Sequence, residues 1–280
     1  MEELSVRRVD FIEAFNQSKF QLRYFSRTNF QVYTPDWNVM PVNRLFFPLI
    51  NPNGAENYIE DQHGKNILAP GNLYFVPPYL PSRWKLSGQL NFLSIHANLE
   101  IFPGVELFAN CSKMLVLPKQ QEIEQLLEYV HSPSENTLLD SQRAGALVYT
   151  ILVSLIEHYP ETDFWGPLSL RRYSKIAEYL IHHGNAKTSV SEIAEICSET
   201  RESFSRNFKS ATGITPKQLI DRYLIRRCVD LLSSGNNIKE VAYQLKFSNE
   251  FAFSRYFKRL LGESPGNWRK HHEIISFAKK

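Results

Sequence analysis

The pattern Phe204-Ser-Arg-Asn-Phe-Lys209 decides how this chain folds, because it returns as Phe253-Ser-Arg-Tyr-Phe-Lys258. In both copies a glycine stands four positions, and a proline seven positions, after the closing lysine. Every matching residue lies 49 positions from its partner. Repetition at a fixed spacing indicates one structural unit that is used twice.

A short helical pattern precedes each copy. It reads Ser191-Glu-Ile-Ala-Glu-Ile-Cys197 before the first copy and Lys239-Glu-Val-Ala-Tyr-Gln-Leu245 before the second. The offset between these segments is 48, from Ala194 to Ala242, so we expect the two turns to differ by one residue. Short helix, tight turn and longer helix make a helix-turn-helix, and the sequence predicts two of them, at about 189–211 and 238–261.

Helical periodicity gives each longer helix a buried face and an outward face. The buried stripes are predicted to be Phe204, Phe208 and Ala211 in the first copy, and Phe253, Phe257 and Leu260 in the second. The outward face carries Arg, Lys and Ser, which suit a major groove because Arg donates in pairs to guanine while Lys and Ser reach phosphates. Together with the first turn of each helix, the predicted DNA contacts are Thr200, Arg201, Glu202, Ser205, Arg206, Lys209, Asn249, Glu250, Phe251, Ser254, Arg255 and Lys258.

Several of these residues have a second interpretation. Arg206 and Arg255 contact either bases or phosphates, and a solvated surface arginine is the alternative that their repetition argues against. Glu202 either accepts from a cytosine amino group or pairs with Arg206 at i, i+4. Phe251 either lies on a thymine methyl group or is a loosely packed surface aromatic. Lys258, like the first-copy lysine, is expected on the DNA backbone, where it adds salt dependence and no sequence information.

The doubled pattern, with Gly262 and Ser264-Pro265, resembles the AraC/XylS family of transcription regulators over about the last hundred residues. The resemblance implies an all-α DNA-binding domain of two helix-turn-helix motifs joined by a long helix. Family members usually carry glycine in both turns, whereas this chain has Cys197 or Ser198 in one and Lys246 in the other. A residue other than glycine at positive φ costs about 1 kcal/mol, which packing has to absorb.

The connector between the two copies is predicted at about 216–233. Thr215 is a typical N-cap and Pro216 a typical first helical residue. An apolar stripe then runs from Leu219 to Leu232, and the helix is expected to stop by Gly235. About 18 helical residues span roughly 27 Å, near the ~34 Å between successive major-groove faces. One rigid connector can therefore hold both reading helices on the same side of a duplex.

Charge divides the chain into two parts. Residues 1–167 hold 12 Lys+Arg and 18 Asp+Glu, a net charge of −6, whereas residues 168–280 hold 20 and 11, a net charge of +9. An acidic half joined to a basic half indicates a nucleic-acid module plus a second domain. We expect a first domain at 1–160, a linker at 161–167 and a DNA-binding domain at 168–272.

Three cysteines without a pairing pattern indicate buried thiols in a reducing compartment. No signal-peptide pattern opens the sequence, and the longest apolar run, from Ala144 to Ile156, is too short to cross a bilayer. We therefore expect a cytoplasmic protein without membrane contact.

The first domain is predicted to be β-rich up to about Leu107, with short strands divided by Gly/Pro turns, as in a small antiparallel barrel. Its string Ala69-Pro-Gly-Asn-Leu-Tyr-Phe-Val-Pro-Pro78 resembles the hairpin of the cupin-like sensor domain attached to many AraC relatives. A helical pair follows at about 119–158, and its second helix has an apolar face wider than one core contact needs. That face either packs on the barrel or, as the family implies, forms a dimer.

The resemblance also implies a small-molecule effector in the barrel. Trp84 falls near the place where sugar sensors of the family stack an aromatic on the ligand, and Arg44, His63 and His96 are further candidates, although each alone fits ordinary structure. His63 and His96 have no closely spaced second histidine, so we expect no metal and no cofactor.

The predicted function is a non-enzymatic transcription regulator that binds double-stranded DNA, forms a homodimer and responds to an effector, which the resemblance suggests is a sugar or sugar derivative. RNA polymerase is a further candidate partner. The alternatives are a cupin-type metalloenzyme with an attached DNA-binding domain, a repair-type methyl acceptor, for which Cys111 stands alone, and an effector-independent DNA-binding regulator.

Overall fold

The computed structural model describes residues 15–16, 18–33, 37–102, 105–118, 121–131, 137–164 and 167–270. The described chain divides into two compact units. Residues 20–99 and 111–161 form one, called the barrel unit below. Residues 100–110 and 162–270, with those before Phe20, form the other, called the helical unit.

The β-structure is a single antiparallel sheet that curls into a nearly closed barrel. Its strands are β1 (Lys19–Tyr33), β2 (Asn43–Ile50), β3 (Tyr58–Asp61), β4 (Gly64–Ile67), β5 (Asn72–Val76), β6 (Arg83–Phe102), β7 (Val105–Glu106) and β8 (Leu115–Pro118). The order is β4-β3-β6-β2-β5-β8, and β1 and β7 also pair with β6. The predicted fold class, a cupin-like antiparallel barrel followed by an all-α part, is confirmed.

Strand lengths depart from the sequence prediction of short strands only. β6 has 20 residues because it pairs in succession with β3, β2 and β7 along its length. The described N-terminal part contains a 15-residue strand, β1. The predicted turn before β5 is confirmed: Gly71 has φ 88° there, a left-handed conformation that glycine adopts without strain.

Large apolar side chains from several strands fill the barrel core. The buried cluster contains Phe46, Ile59, Leu68, Tyr74, Val76, Leu80, Trp84, Leu86, Leu90, Phe92 and Met114. The Tyr74 hydroxyl donates to the carbonyl of Ile67 and accepts from the amide of Ala69, at 2.5 and 2.7 Å. A buried tyrosine is thereby satisfied, and the hairpin is fixed in register.

Two helices complete the barrel unit, α1 (Gln121–His131) and α2 (Thr137–Leu155). The inner side of α2 is buried through Ala144, Val148, Ile151, Leu152 and Leu155. Part of its wide apolar face therefore packs within the unit, as one interpretation held. Within the described ranges, none of the helices combines the length and the hydrophobicity that a membrane span requires.

Within the described residues, the helical unit contains six further helices and a helical stretch at 265–270. They are α3 (Pro167–His183), α4 (Val190–Ile196), α5 (Arg201–Thr212), α6 (Pro216–Ser233), α7 (Ile238–Gln244) and α8 (Glu250–Leu261). The helical pattern predicted for each helix-turn-helix and for the connector is confirmed, and α6 has the expected 18 residues. Hydroxyl and amide caps begin α4 to α8, and those of α4, α6 and α7 are full capping boxes.

One detail of the buried stripes is wrong in both copies. Ala211 is exposed and Leu260 is half-buried, whereas the next residues, Thr212 and Leu261, are buried. The buried line follows steps of four residues from each phenylalanine pair, one of the ridges along which helices pack. The Thr212 hydroxyl donates to the carbonyl of Phe208 at 2.7 Å, so its polar atom is satisfied inside the helix.

Candidate nucleic-acid interface

Each helix-turn-helix turns on a residue with positive φ that is not glycine. Ser198 and Lys246 both have φ 56°, and they lie 48 positions apart. The next helices begin at the N-caps Thr200 and Asn249, which lie 49 positions apart. The predicted one-residue difference is therefore confirmed, and the extra residue lies between the left-handed residue and the cap.

The two turns are filled by different chemistry. In the first, the half-buried carboxylate of Glu199 accepts from Asn207 Nδ2 at 2.7 Å and from Arg172 Nη2 at 3.0 Å. In the second, the ring of Phe247 packs on Phe253 and Tyr256 with centroids 5.3 Å away in each case. Polar bonds and aromatic packing each supply the stabilisation that offsets a left-handed residue in the turn.

The longer helices α5 and α8 are anchored by pairs of fully buried phenylalanines. Phe204 and Phe208 pack against each other with tilted rings, and both meet Tyr173 of α3 edge to face. Phe253 packs on Phe257 in the second copy. Burying an aromatic side chain contributes several kcal/mol, so each helix has one inward face and the opposite face is turned to solvent.

That outward face carries four exposed cations. Arg206, Lys209, Arg255 and Lys258 are exposed, and within the described ranges none of them makes a hydrogen bond or an ion pair. The i, i+4 pair of Glu202 with Arg206, one of the two alternatives for Glu202, is likewise not formed among these residues. Their charges are available to an anionic partner.

Other arginines of the unit are tied to neighbours and show what a structural arginine looks like here. Arg259 of α8 lies 5.3 Å from the ring centroid of Tyr256 and 3.8 Å from the carboxylate of Asp221. Arg172 of α3 pairs with Glu199. The contrast separates Arg206 and Arg255 from arginines that hold the fold together.

Three of the predicted DNA contacts also form hydrogen bonds within their own helices. Thr200 Oγ1 accepts from the amide of Ser203 at 3.2 Å, and Asn249 Oδ1 accepts from the amide of Ala252 at 2.8 Å. The Ser205 hydroxyl donates to the carbonyl of Arg201 at 2.7 Å. Both caps use only an acceptor oxygen, so the threonine hydroxyl proton and the asparagine amide nitrogen can still donate to DNA. The DNA contacts of Thr200 and Asn249 stay predictions.

The remaining predicted residues also lie at the surface of these helices. Arg201, Glu202 and Glu250 are exposed in first turns, Ser254 is half-buried, and Phe251 is 81% exposed. Tyr243 of α7, which is not among the predicted contacts, is 85% exposed. It occupies the place that Glu195 has in the first copy, next to the buried Ala242.

Three of the four effector candidates lie together in the barrel unit. Arg44 and His96 are opposite each other on β2 and β6, so their side chains share one face of the sheet. Arg44 Nη2 donates to Ser82 Oγ at 2.8 Å, and Trp84 Nε1 donates to the same oxygen at 3.0 Å. The guanidinium carbon lies 5.1 Å from the Trp84 ring centroid.

The fourth candidate, His63, is elsewhere. It is exposed in the turn between β3 and β4, with its Nε2 3.3 Å from the carbonyl of Ser112. Trp84 is only 7% exposed and packs on Phe46, which fits the alternative that it is a core residue. Among the described residues, no three His, Cys, Asp or Glu side chains are grouped as metal ligands would be.

Comparisons with known proteins agree with this architecture. A helix-turn-helix domain model matches residues 193–271. The raffinose operon transcriptional regulatory protein RafR of Pediococcus pentosaceus is 20% identical over 78% of this chain and 82% of its own length. The Msm operon regulatory protein of Streptococcus mutans is 28% identical over 80% and 87%.

Among solved structures, ToxT from Vibrio cholerae matches 91% of this chain and 97% of its own, with a TM-score of 0.58 and 14% identity. At that identity the likeness concerns the fold alone, a barrel-containing part followed by two helix-turn-helix motifs. The doubled motif, the matched domain and relatives of similar length that regulate operons all lead to the same conclusion. The chain is a DNA-binding transcription regulator of the AraC/XylS family.

Proposed function

We propose that α5 and α8 are the two reading helices and that they enter successive major grooves of one duplex. The observation that supports this most is a pair of exposed arginines, Arg206 and Arg255, which have no ion-pair partner among the described residues and stand at the same place in two helices anchored alike. The 18-residue connector α6 is about 27 Å long, which suits two grooves roughly 34 Å apart. Lys209 and Lys258 neutralise phosphates.

The test begins with duplexes selected by the full chain from a library with a randomised segment of about 30 base pairs. Arg206→Ala and Arg255→Ala are each expected to lose roughly 1–3 kcal/mol of discrimination, at different base positions. Arg259→Ala, on the same helix as Arg255 but tied to Asp221, is the matched control and is expected to keep the selectivity. Unchanged base preferences in both test variants would refute the assignment of the reading helices.

Phosphate contacts have a separate readout, the salt dependence of affinity. Lys209→Ala and Lys258→Ala are expected to weaken binding to all duplexes alike and to lower the slope of log K against log salt by about 1 each. A change in base preference with an unchanged salt slope would contradict the phosphate role.

For the barrel unit we propose a carbohydrate effector. The proposal is supported by the name of the RafR relative, a raffinose operon regulator, and by the grouping of Arg44, Ser82 and Trp84. Donor groups beside an aromatic ring are the elements with which proteins commonly hold polar, ring-shaped ligands. An effector shifts the protein between two arrangements only by as much as it prefers one of them.

Thermal denaturation of the full chain with raffinose, sucrose or an unsaturated fatty acid tests the effector class. A sugar present at about 100 times its Kd stabilises the bound state by about 2.7 kcal/mol. That gain is expected to vanish in Arg44→Lys and to persist in His63→Ala, whose ring lies outside the group. Stabilisation by the fatty acid and by neither sugar would overturn the carbohydrate proposal, and stabilisation by none would favour an effector-independent regulator.

We also propose that the chain forms a homodimer through the outer face of α2. Leu139 and Val153 are each 41% exposed on this helix and lie 14 residues apart, a spacing of two heptads. Sedimentation of the full chain is expected to show a dimer, and Leu139→Lys with Val153→Lys is expected to show a monomer. A dimer that survives both substitutions would place the interface elsewhere.

A further inference from the structure

Residues 100–110 form a short segment that belongs to the helical unit. This segment includes the last residues of β6, all of β7 and the turn after β7. Val105 is buried in the same cluster as Phe204 and Phe208, and Ile101 packs against that cluster. The segment therefore completes the apolar core under the first reading helix, α5.

The turn after β7 also fastens the end of α5. Asn110 Nδ2 donates to the carbonyl of Thr212, the last residue of α5, at 3.2 Å. Arg222 of α6 donates to Asn110 Oδ1 at 3.0 Å and to the carbonyl of Ala109 at 2.9 Å. The last carbonyls of a helix have no partner inside the helix, so Asn110 supplies one and joins α5 to the connector.

An ion cluster fixes the other end of the segment. Arg226 of α6 is buried, with its Nη1 3.1 Å from a carboxylate oxygen of Glu100 and 3.5 Å from one of Glu106. Both glutamates are buried as well. The segment is thus held at both ends to α6, and Asn110 is placed against α5 from a fixed position.

The second reading helix is fastened in a different way. The Tyr256 hydroxyl of α8 donates to a carboxylate oxygen of Asp221 in α6 at 3.0 Å and lies 3.2 Å from its carbonyl. Burial and the neighbouring carboxylate raise the pKa of Tyr256, so this donor keeps its proton. The bond joins α8 directly to the connector, within one continuous stretch of the helical unit.

We propose that Asn110 is a positioning residue that sets the contribution of the first reading helix, and not of the second, to DNA binding. The inference rests on the proposed roles of α5 and α8. The segment continues β6, the strand that also carries Trp84 and His96. A change in β6 on effector binding would accordingly act on the half-site that α5 reads.

The experiment uses the full chain and a duplex that it selects from a random library, with its two halves assigned by Arg206→Ala and Arg255→Ala. Asn110→Asp has the same shape and can still accept from Arg222, but it replaces the donor to Thr212 by a carboxylate oxygen. Binding to the intact duplex is expected to weaken about three- to ten-fold. Binding to a duplex whose α5 half is scrambled is expected to stay unchanged.

Tyr256→Phe is the matched variant, since it removes one hydroxyl that holds α8 and keeps the ring. It is expected to give the opposite pattern: weaker binding to the intact duplex and no change when the α8 half is scrambled. Asn110→Ala, which removes both bonds of the amide, serves as the second variant. Thermal denaturation identifies any variant that is simply unfolded. If one of the two Asn110 variants is unfolded, the DNA binding of the other one tests the proposal.

The outcomes separate the two proposals. Failure to select any duplex, or a selected duplex indifferent to both arginine variants, overturns the reading-helix assignment. A selected duplex whose halves are assigned as proposed, with Asn110→Asp weakening the contributions of both halves equally, overturns the positioning role alone. Loss confined to the α5 half supports it.

Discussion

Removing the positive charge of Arg226 is expected to destabilise the helical unit more than removing any surface cation of α6. Arg226, Glu100 and Glu106 are 6%, 7% and 3% exposed, so the two carboxylates depend on the guanidinium and not on water for compensation. The carboxylate of Asp230 lies 3.8 Å from Arg226 Nε but is partly solvated. Arg226→Met keeps the apolar length of the side chain and removes only the charge and its donors.

Breaking a buried ion pair by removing one partner costs about 3–5 kcal/mol, because a buried charge is left uncompensated. At each carboxylate, Glu100→Gln or Glu106→Gln in the Arg226→Met background replaces that charge penalty by the smaller cost of one unsatisfied amide, about 1–3 kcal/mol. The variant that combines all three substitutions is therefore expected to be at least about 2 kcal/mol more stable than Arg226→Met alone. A simple count of lost contacts would instead predict that the two glutamine substitutions lower the stability of Arg226→Met further.

Urea denaturation of the full chain, followed by circular dichroism at 222 nm, measures these differences. Lys217→Met is the matched control, since Lys217 lies on the same helix with an acidic i, i+4 partner but is largely exposed. Its loss is expected to cost at most about 1 kcal/mol. If Arg226→Met costs no more than this control, or if the two glutamine substitutions add to the loss, the cluster does not stabilise the fold as argued.

Three further expectations concern stability. Ser198→Gly and Lys246→Gly each remove the steric cost of a left-handed residue, about 1–2 kcal/mol, and add an entropic cost of about 0.5–1 kcal/mol. Urea titration is therefore expected to show a net rise in the free energy of unfolding. A fall would mean that these two side chains make stabilising contacts of their own. Gly184→Ala is expected to destabilise by about 1–3 kcal/mol because an added Cβ would collide with the Leu180 carbonyl, and a Tm equal to that of the wild type would contradict this packing. Burial raises the pKa of the Cys228 thiol above its ordinary value of 9.0, so the thiol ionises at lower pH in the unfolded chain than in the folded one. Its contribution to stability is therefore full below pH 9 and falls as the pH rises beyond 9. Alkylation of Cys228 in the folded chain at pH 8.5 would contradict the burial of this thiol.

The helical unit was predicted closely because its information is local. Caps such as Thr215, the 49-residue repeat and the apolar stripes each depend on residues only a few positions apart. The one error in a buried stripe of α5, Ala211 predicted in place of Thr212, is a shift of a single residue. It arises because the direction in which a helix packs on its neighbours is not written in its own periodicity.

The barrel unit was predicted in kind but not in detail, because strand pairing joins residues that are distant in sequence. No local pattern shows that Arg44 faces His96 across β2 and β6, or that β6 continues for 20 residues. Arg226 illustrates the same limit within a helix. Its sequence neighbourhood offers Asp230 as a surface i, i+4 partner, whereas the structure buries it between glutamates that lie more than a hundred residues earlier.

The two copies of the motif are fastened differently, and this bears on the proposal that the two reading helices contribute separately to DNA binding. α8 is bonded to α6 by Tyr256 and Asp221, close neighbours in the fold of the same domain. α5 ends on Asn110, which reaches it from a segment that the chain enters through β6. A regulator built from two equally fastened copies would move both together. On the proposed roles of α5 and α8, unequal fastening would let one half-site hold the protein on its operator while the affinity of the other half-site changes.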